Sequence, residues 1–277
     1  MATTRIAFEE LPPAVLAEVE ARTGPLLKVE PAKEGFNSEI AARVFSETGS
    51  VYVKGLRADH PRAWTQRREA EVNPFLRGVA PILRWRIEEE EWDLLGFEAL
   101  DGHHADYSPG SPDLPKVADL LVRLGEVVCP DIELRQAEQR LERYAAKRAD
   151  LGHFAGDSLL HTDLNNTNVL VEETALLVDW AWATRGAAWL DAGYWVIWLM
   201  AVGNHTVESA ERWAGEVPAW RSAPSKGVDA FAVANANLWE EIGSEDPDPW
   251  TARLVTASAR WAAHRMGSRT RPFRDAG

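Results

Sequence analysis

The segment that most constrains this chain is Leu159–Trp182, which reads LLHTDLNNTNVLVEETALLVDWAW. Two apolar runs, Val169-Leu170-Val171 and Ala175-Leu176-Leu177-Val178, flank the acidic turn Glu172-Glu173-Thr174. Short apolar runs joined by turn residues predict a β-hairpin. Polar residues stand at its outer ends: Asp163 and Asn168 before the first strand, Asp179 after the second. Antiparallel pairing brings those ends together, so the hairpin gathers two carboxylates and a carboxamide at one edge. Mg²⁺ takes hard oxygen ligands of this kind, few from protein, with waters and phosphate oxygens completing the octahedron. A phosphoryl-transfer site also needs a carboxylate beside the attacking hydroxyl. Taken singly, these residues would read as turn caps and a strand end. Turn propensity does not explain their joint spacing.

The rest of the chain divides by texture near residue 100. Apolar residues at Leu11, Val15, Leu16 and Val19 predict a helix over Glu9–Arg22. Strands are predicted around Pro25–Ala32, Ile40–Phe45, Val51–Lys54, Ile82–Arg86 and Leu94–Leu100. A helix over Pro61–Arg77 interrupts them, with Pro74 expected to end or kink it. After the breaker-rich stretch Ser108-Pro109-Gly110-Ser111-Pro112 the pattern is mainly helical. Helices are predicted over Leu114–Val127, Ile132–Arg148, Ala187–Val202, Ala210–Glu216 and Trp250–Met266. The expectation is an α+β chain with a mostly antiparallel β lobe at residues 1–100 and a mostly α-helical lobe at residues 101–277. Most of the 13 tryptophans fall in the second lobe, where helical spacing assigns them to core packing.

His161-Thr-Asp163-Leu-Asn-Asn-Thr-Asn168 matches the kinase catalytic-loop pattern H-x-D-x-x-x-x-N, and Val178-Asp179-Trp180 falls where the metal-binding Asp motif stands. The run resembles the aminoglycoside phosphotransferase family, and Asp191 matches a further structural Asp of that family. The resemblance spans about residues 26–200 and implies the bilobal protein-kinase-like fold. It assigns Asp163 to orient the substrate hydroxyl and accept its proton, Asn168 and Asp179 to hold Mg²⁺, and His161 to a structural role. It implies that Lys54, in Val51-Tyr52-Val53-Lys54, pairs with nucleotide phosphates and with a helix Glu, for which Glu69 fits better than Glu71. Glu69 and Glu71 are two residues apart, so helix geometry allows only one of them to face Lys54. Gly35 and Ser38, in Lys-Glu-Gly35-Phe-Asn-Ser38, stand where a phosphate-covering loop belongs, with a single Gly in place of the kinase G-x-G-x-x-G. Backbone groups of Glu98 and Leu100 are implied as the adenine-binding hinge. Asn165 stands where protein Ser/Thr kinases carry Lys, which favours a small-molecule kinase.

Spacing speaks to the acceptor. Asp179 and Asp191 are 12 positions apart, which leaves no room for the long peptide-binding segment of protein kinases. The expected reaction is ATP-dependent phosphorylation of a small-molecule hydroxyl, with an antibiotic as the favoured acceptor and ATP and Mg²⁺ as cofactors. The sequence leaves ATP and GTP open. A metabolic kinase acting on choline, homoserine or a sugar-like alcohol is the alternative, and a non-catalytic nucleotide-binding scaffold is a third reading. The net charge of −13 argues against a nucleic-acid partner and permits a cationic acceptor. Glu208, Glu211, Glu240, Glu241, Glu245 and Asp246 could bind such a cation, although a solvated acidic face explains them as well. No apolar run reaches the ~18 residues of a membrane span. MATTRIAFEELPPAV carries early acids and does not read as a secretory signal. Cys129 is the only cysteine, so no internal disulfide can form, and a cytoplasmic location is expected.

Overall fold

A computed structural model describes residues 4–32 and 38–267. Chain contacts divide it into two compact units, and the seam does not follow the sequence in one step. The first unit runs to His103 and takes in Leu170–Ala183; the second holds His104–Val169 and continues from Thr184. The change of texture near residue 100 falls close to the first crossing of the seam. The arm that carries Asp179 groups with the β unit.

The first unit opens with α1 (Pro13–Thr23), whose Pro13 starts the helix where a missing N–H costs nothing. Then come β1 (Leu26–Pro31), β2 (Ile40–Ser46), β3 (Gly49–Arg57), α2 (Trp64–Val72), β4 (Leu83–Glu89) and β5 (Trp92–Glu98). The strands form one antiparallel sheet in the order β1-β2-β3-β5-β4. Period-two alternation sorts β3 into two faces. Val51 and Val53 are buried in a core with Val15 and Val19 of α1, Ile40, Val44, Ile87 and Leu94. Tyr52 and Lys54 therefore point to the opposite face. Pro74 lies in the single 3₁₀ turn Asn73–Phe75 and ends α2 at Val72, well short of the expected Arg77. The acidic turn after β4 is tight, with Glu90 and Glu91 both at positive φ.

After a short β6 (His103–His104) the second unit holds α3 (Asp113–Gly125), β7 (Arg135–Gln136), α4 (Ala137–Arg140) and β8 (Ser158–Leu160); the chain then passes through β9 (Val169–Val171) into the first unit, where β10 (Ala175–Leu177) lies, and re-enters the second at β11 (Thr184–Gly186). Five helices complete it: α5 (Leu190–Ala201), α6 (Val207–Ala214), α7 (Pro218–Arg221), α8 (Ser225–Glu245) and α9 (Pro249–Gly267). The expected hairpin is present as β9 and β10, neighbours in one sheet, and it crosses the seam of the units between Val169 and Leu170. Helix α5 is buried along its whole length, as a helix apolar on every face beyond Asp191 requires. Around it the tryptophans pack as core: Phe231 is ringed by Phe154, Trp189, Tyr194 and Trp261. No described helix is long and apolar enough to cross a membrane.

Two helical expectations need correction. The segment 132–148 is not one helix. Arg135 and Gln136 pair instead with Thr184 and Arg185 in a parallel bridge, and only the four-residue α4 follows. The helix α8, the longest among the described residues, carries no matching expectation. Its Gly227 and Gly243 and its run of alanines blur the amphipathic period.

Candidate active site

In the first unit, three elements bring three charges together. Lys54 enters from β3, Glu69 from α2, and Asp179 from the end of the β10 arm. The Lys54 ammonium lies 2.6 Å from Glu69 Oε2 and donates to Asp179 Oδ1 at 3.0 Å. The helix face settles the choice of partner: Glu69 is buried against the sheet, while Glu71 is exposed. Burial works against the Lys54 ammonium, but Asp179 and Glu69 overcome it and hold its pKa above the ordinary lysine value. Burial lifts the Glu69 carboxyl, and Lys54 pulls it back. The arm is seated by its own side chains. Trp180 is buried, its indole N–H donates to the Leu177 carbonyl, and its backbone bonds Glu69. Trp182 meets Trp64 of α2 edge-on at 5.5 Å. Asp179 takes a left-handed backbone (φ 62°), which costs a non-glycine residue about 1–3 kcal/mol and persists only where the surroundings overdetermine it.

The other implied nucleotide residues fall in the same unit. Gly35 lies outside the described residues; Ser38 is buried just before β2. Glu98 ends β5, and its N–H donates to the Ile82 carbonyl. Leu100 follows, and its carbonyl accepts from Arg43. Glu98 and Leu100 are the positions that the resemblance implies as the hinge. Tyr52 shares the Lys54 face; burial raises the pKa of its phenol. The period-two rule could have singled it out from sequence, two residues before Lys54.

In the second unit, the loop His161–Asn168 is fastened at nearly every residue. The buried Asp191 carboxylate, in the first turn of α5, accepts the backbone N–H groups of His161 and Thr162, both at 2.8 Å. Burial pushes the Asp191 carboxyl up to about 6. His161 is fully buried, and its Nδ1 accepts the Asp163 N–H, a structural role. The Tyr107 hydroxyl donates to the Leu164 carbonyl, and burial pushes that phenol well up. Asn168 Nδ2 donates to Asp163 Oδ2 at 3.0 Å and to the Asp163 carbonyl at 3.2 Å. One carboxamide thus holds the carboxylate expected to do the chemistry. Sequence reasoning missed Tyr107, which no motif marks.

Each of the two residues expected to hold Mg²⁺ has the chemistry for a hard cation. In the second unit the Asn168 amide turns its nitrogen to Asp163, which points its oxygen elsewhere; in the first, Asp179 is a partly exposed carboxylate. Amide and carboxylate oxygens are the kind of donor Mg²⁺ takes, few from protein and the rest from phosphate and water. Among the acids offered for a cationic acceptor, three have internal partners, and Glu208 faces His264 at 3.6 Å. Glu211 accepts from Trp261 and Arg265, and Glu241 from Tyr144 and Arg143.

The fold these units build is the α+β protein-kinase-like fold of small-molecule kinases. Among solved structures, the chain is similar to choline kinase LicA from Streptococcus pneumoniae, with TM-score 0.64 and 12% identity over 91% of this chain and 98% of that one. It is similar to a thermostable mutant of aminoglycoside phosphotransferase APH(4)-Ia in ternary complex with AMP-PNP and hygromycin B, with TM-score 0.60 and 12% identity over 91% and 99%. A putative aminoglycoside phosphotransferase from Ralstonia eutropha gives TM-score 0.56 and 12% identity over 91% and 95%. No family model and no curated protein matches by sequence.

Proposed function

We propose that this protein is an ATP-dependent phosphotransferase acting on a hydroxyl of a small molecule. The observation that carries this reading is the pair of interlocks: Lys54 clasped by Glu69 and Asp179, and Asp163 clasped by Asn168. A scaffold that merely bound a nucleotide would have no use for a carboxylate held ready beside an amide. In this reading Lys54 binds the nucleotide phosphates, Glu69 keeps Lys54 aimed, and the Glu98 carbonyl and Leu100 N–H meet the base. Asn168 and Asp179 would hold Mg²⁺, which when bound neutralises charge on the phosphate oxygens. Asp163 orients the acceptor hydroxyl and takes its proton, leaving the oxygen to attack in line. Ser38, and Gly35 outside the described residues, are assigned to the phosphate cover. ATP as cosubstrate makes the cytoplasm the working compartment.

The short link from Asp179 to Asp191 supports a small acceptor over a peptide. The fold neighbours whose names carry choline or hygromycin B favour a cationic alcohol, and the net charge of −13 would concentrate one. An antibiotic is our first choice of acceptor. A metabolic alcohol of the choline kind is second, favoured by the likeness to LicA. Nucleotide consumption with ATP and with GTP, across aminoglycosides, choline, homoserine and sugar alcohols, tests this directly. Phosphate transfer to one class identifies the acceptor; no binding of Mg-ATP by calorimetry would reject the kinase reading.

A further inference from the structure

The broken helix at 132–148 has a consequence for the catalytic loop. The chain leaves a helical path at Arg135 and Gln136, pairs with β11, and turns once through α4. That turn is seated flush against β11: a Cβ built on Gly186 would lie 2.6 Å from the Ala137 Cβ, so only glycine allows the approach. The last residue of the turn, Arg140, is thereby delivered to two threonines distant in sequence. One guanidinium nitrogen, Nη1, donates to Thr162 Oγ1 and to Thr184 Oγ1, each at 2.6 Å. Both threonines are buried.

Thr162 is the residue immediately before Asp163, and its φ is +69°. A β-branched residue in the left-handed region is strained and holds that conformation only where its surroundings insist. Two contacts insist from different sides. Asp191 takes the Thr162 backbone N–H, and Arg140 takes its hydroxyl. The second bond to Thr184 ties the same guanidinium to the strand that pairs with β7 and β8. A charged donor makes these bonds stronger than neutral ones.

We propose that Arg140 is a positioning residue for the phosphoryl transfer: by locking Thr162 in its left-handed turn, it fixes the direction in which Asp163 leaves the loop. The inference rests on the kinase reading for its effect on rate. Misplacing a catalytic group by about 1 Å can cost roughly 10²-fold in rate. Arg140→Met and Thr162→Val are each expected to lower kcat for Mg-ATP consumption by about 10- to 100-fold while leaving KM for Mg-ATP within about twofold. The double variant is expected to be no slower than Arg140→Met alone, because that variant has already lost the bond to Thr162. Arg140→Lys is expected to recover part of the rate.

The test uses the full chain with Mg-ATP, taking water, choline and hygromycin B as probe acceptors and following the fastest. Hydrogen exchange of the peptide covering residues 159–168 is measured on the same proteins. A kcat loss in both single variants, no further loss in the double, and faster exchange confined to that peptide support the proposal. An unchanged kcat in Arg140→Met, a raised KM at unchanged kcat, or losses that multiply in the double variant overturn it. Should Arg140→Met fail to fold, Thr162→Val carries the same comparison. A wild-type chain that binds no Mg-ATP by calorimetry rejects the kinase reading separately. Hydrogen exchange then decides the positioning: faster exchange at 159–168 in Arg140→Met upholds it, and unchanged exchange overturns it.

Discussion

At the scale of single residues, the clasp around Lys54 has consequences for stability as well as chemistry. Glu69 is buried, and its charge is matched by Lys54. Removing one partner of a buried pair leaves the other uncompensated and typically costs 3–5 kcal/mol, so Lys54→Met should lose about that much. Lys54→Met combined with Glu69→Gln should recover most of it, because no buried charge is left unpaired. Urea unfolding of the three proteins measures this. A Lys54→Met variant as stable as wild type would show that Glu69 is not held as a carboxylate. The contacts of Lys54 with Glu69 and Asp179, and of Asp163 with Asn168, join residues that were legible in the sequence through the kinase-like motif spacing. Thr162 and Arg140 were not: a hydroxyl and a guanidinium serve many structural ends, and 22 positions separate them. Only the folded chain shows that they meet.

At the scale of elements, α5 and the loop it supports make a pH-sensitive joint. Asp191 keeps its proton more tightly in the folded chain, near pH 6, than an unfolded Asp near 3.8. Between those values the folded state binds more protons than the unfolded one, so this group's contribution to stability is greatest below about pH 4. It declines as pH rises through about 6 and is level above. The gap between the two pKa values corresponds to about 3 kcal/mol. The stability advantage of wild type over Asp191→Asn should therefore be larger at pH 4 than at pH 7 by up to about 3 kcal/mol. Urea titrations at the two pH values check it, and an advantage that grows with pH would mean Asp191 is held as a carboxylate throughout. The elements themselves were unevenly legible. The hairpin β9–β10 was plain because an acidic turn divides two apolar runs. The helix over 132–148 was misread because amphipathic spacing continues through Arg135 and Gln136, while a pairing with Thr184 and Arg185 overrides it. Such a tertiary contact leaves no local trace.

At the scale of the whole molecule, nucleotide binding and stability are linked. A ligand that binds only the folded state at 100 times its Kd adds about 2.7 kcal/mol. Mg-ATP should raise Tm accordingly, and a chelator should remove most of the rise if Asn168 and Asp179 hold the cation. A Tm shift indifferent to the chelator would count against that ligand pair. The acceptor was the least legible property: of the six acids that could meet a cation, Glu208, Glu211 and Glu241 already have internal partners. The central claim is that Asp163 acts on an acceptor hydroxyl. The direct measurement is phosphate transfer by wild type and Asp163→Ala, with the acceptor found by the nucleotide-consumption panel. Loss of a general base predicts a fall in kcat of about 10²–10⁴-fold with Tm and Mg-ATP binding unchanged. Transfer at the wild-type rate by Asp163→Ala would contradict the claim.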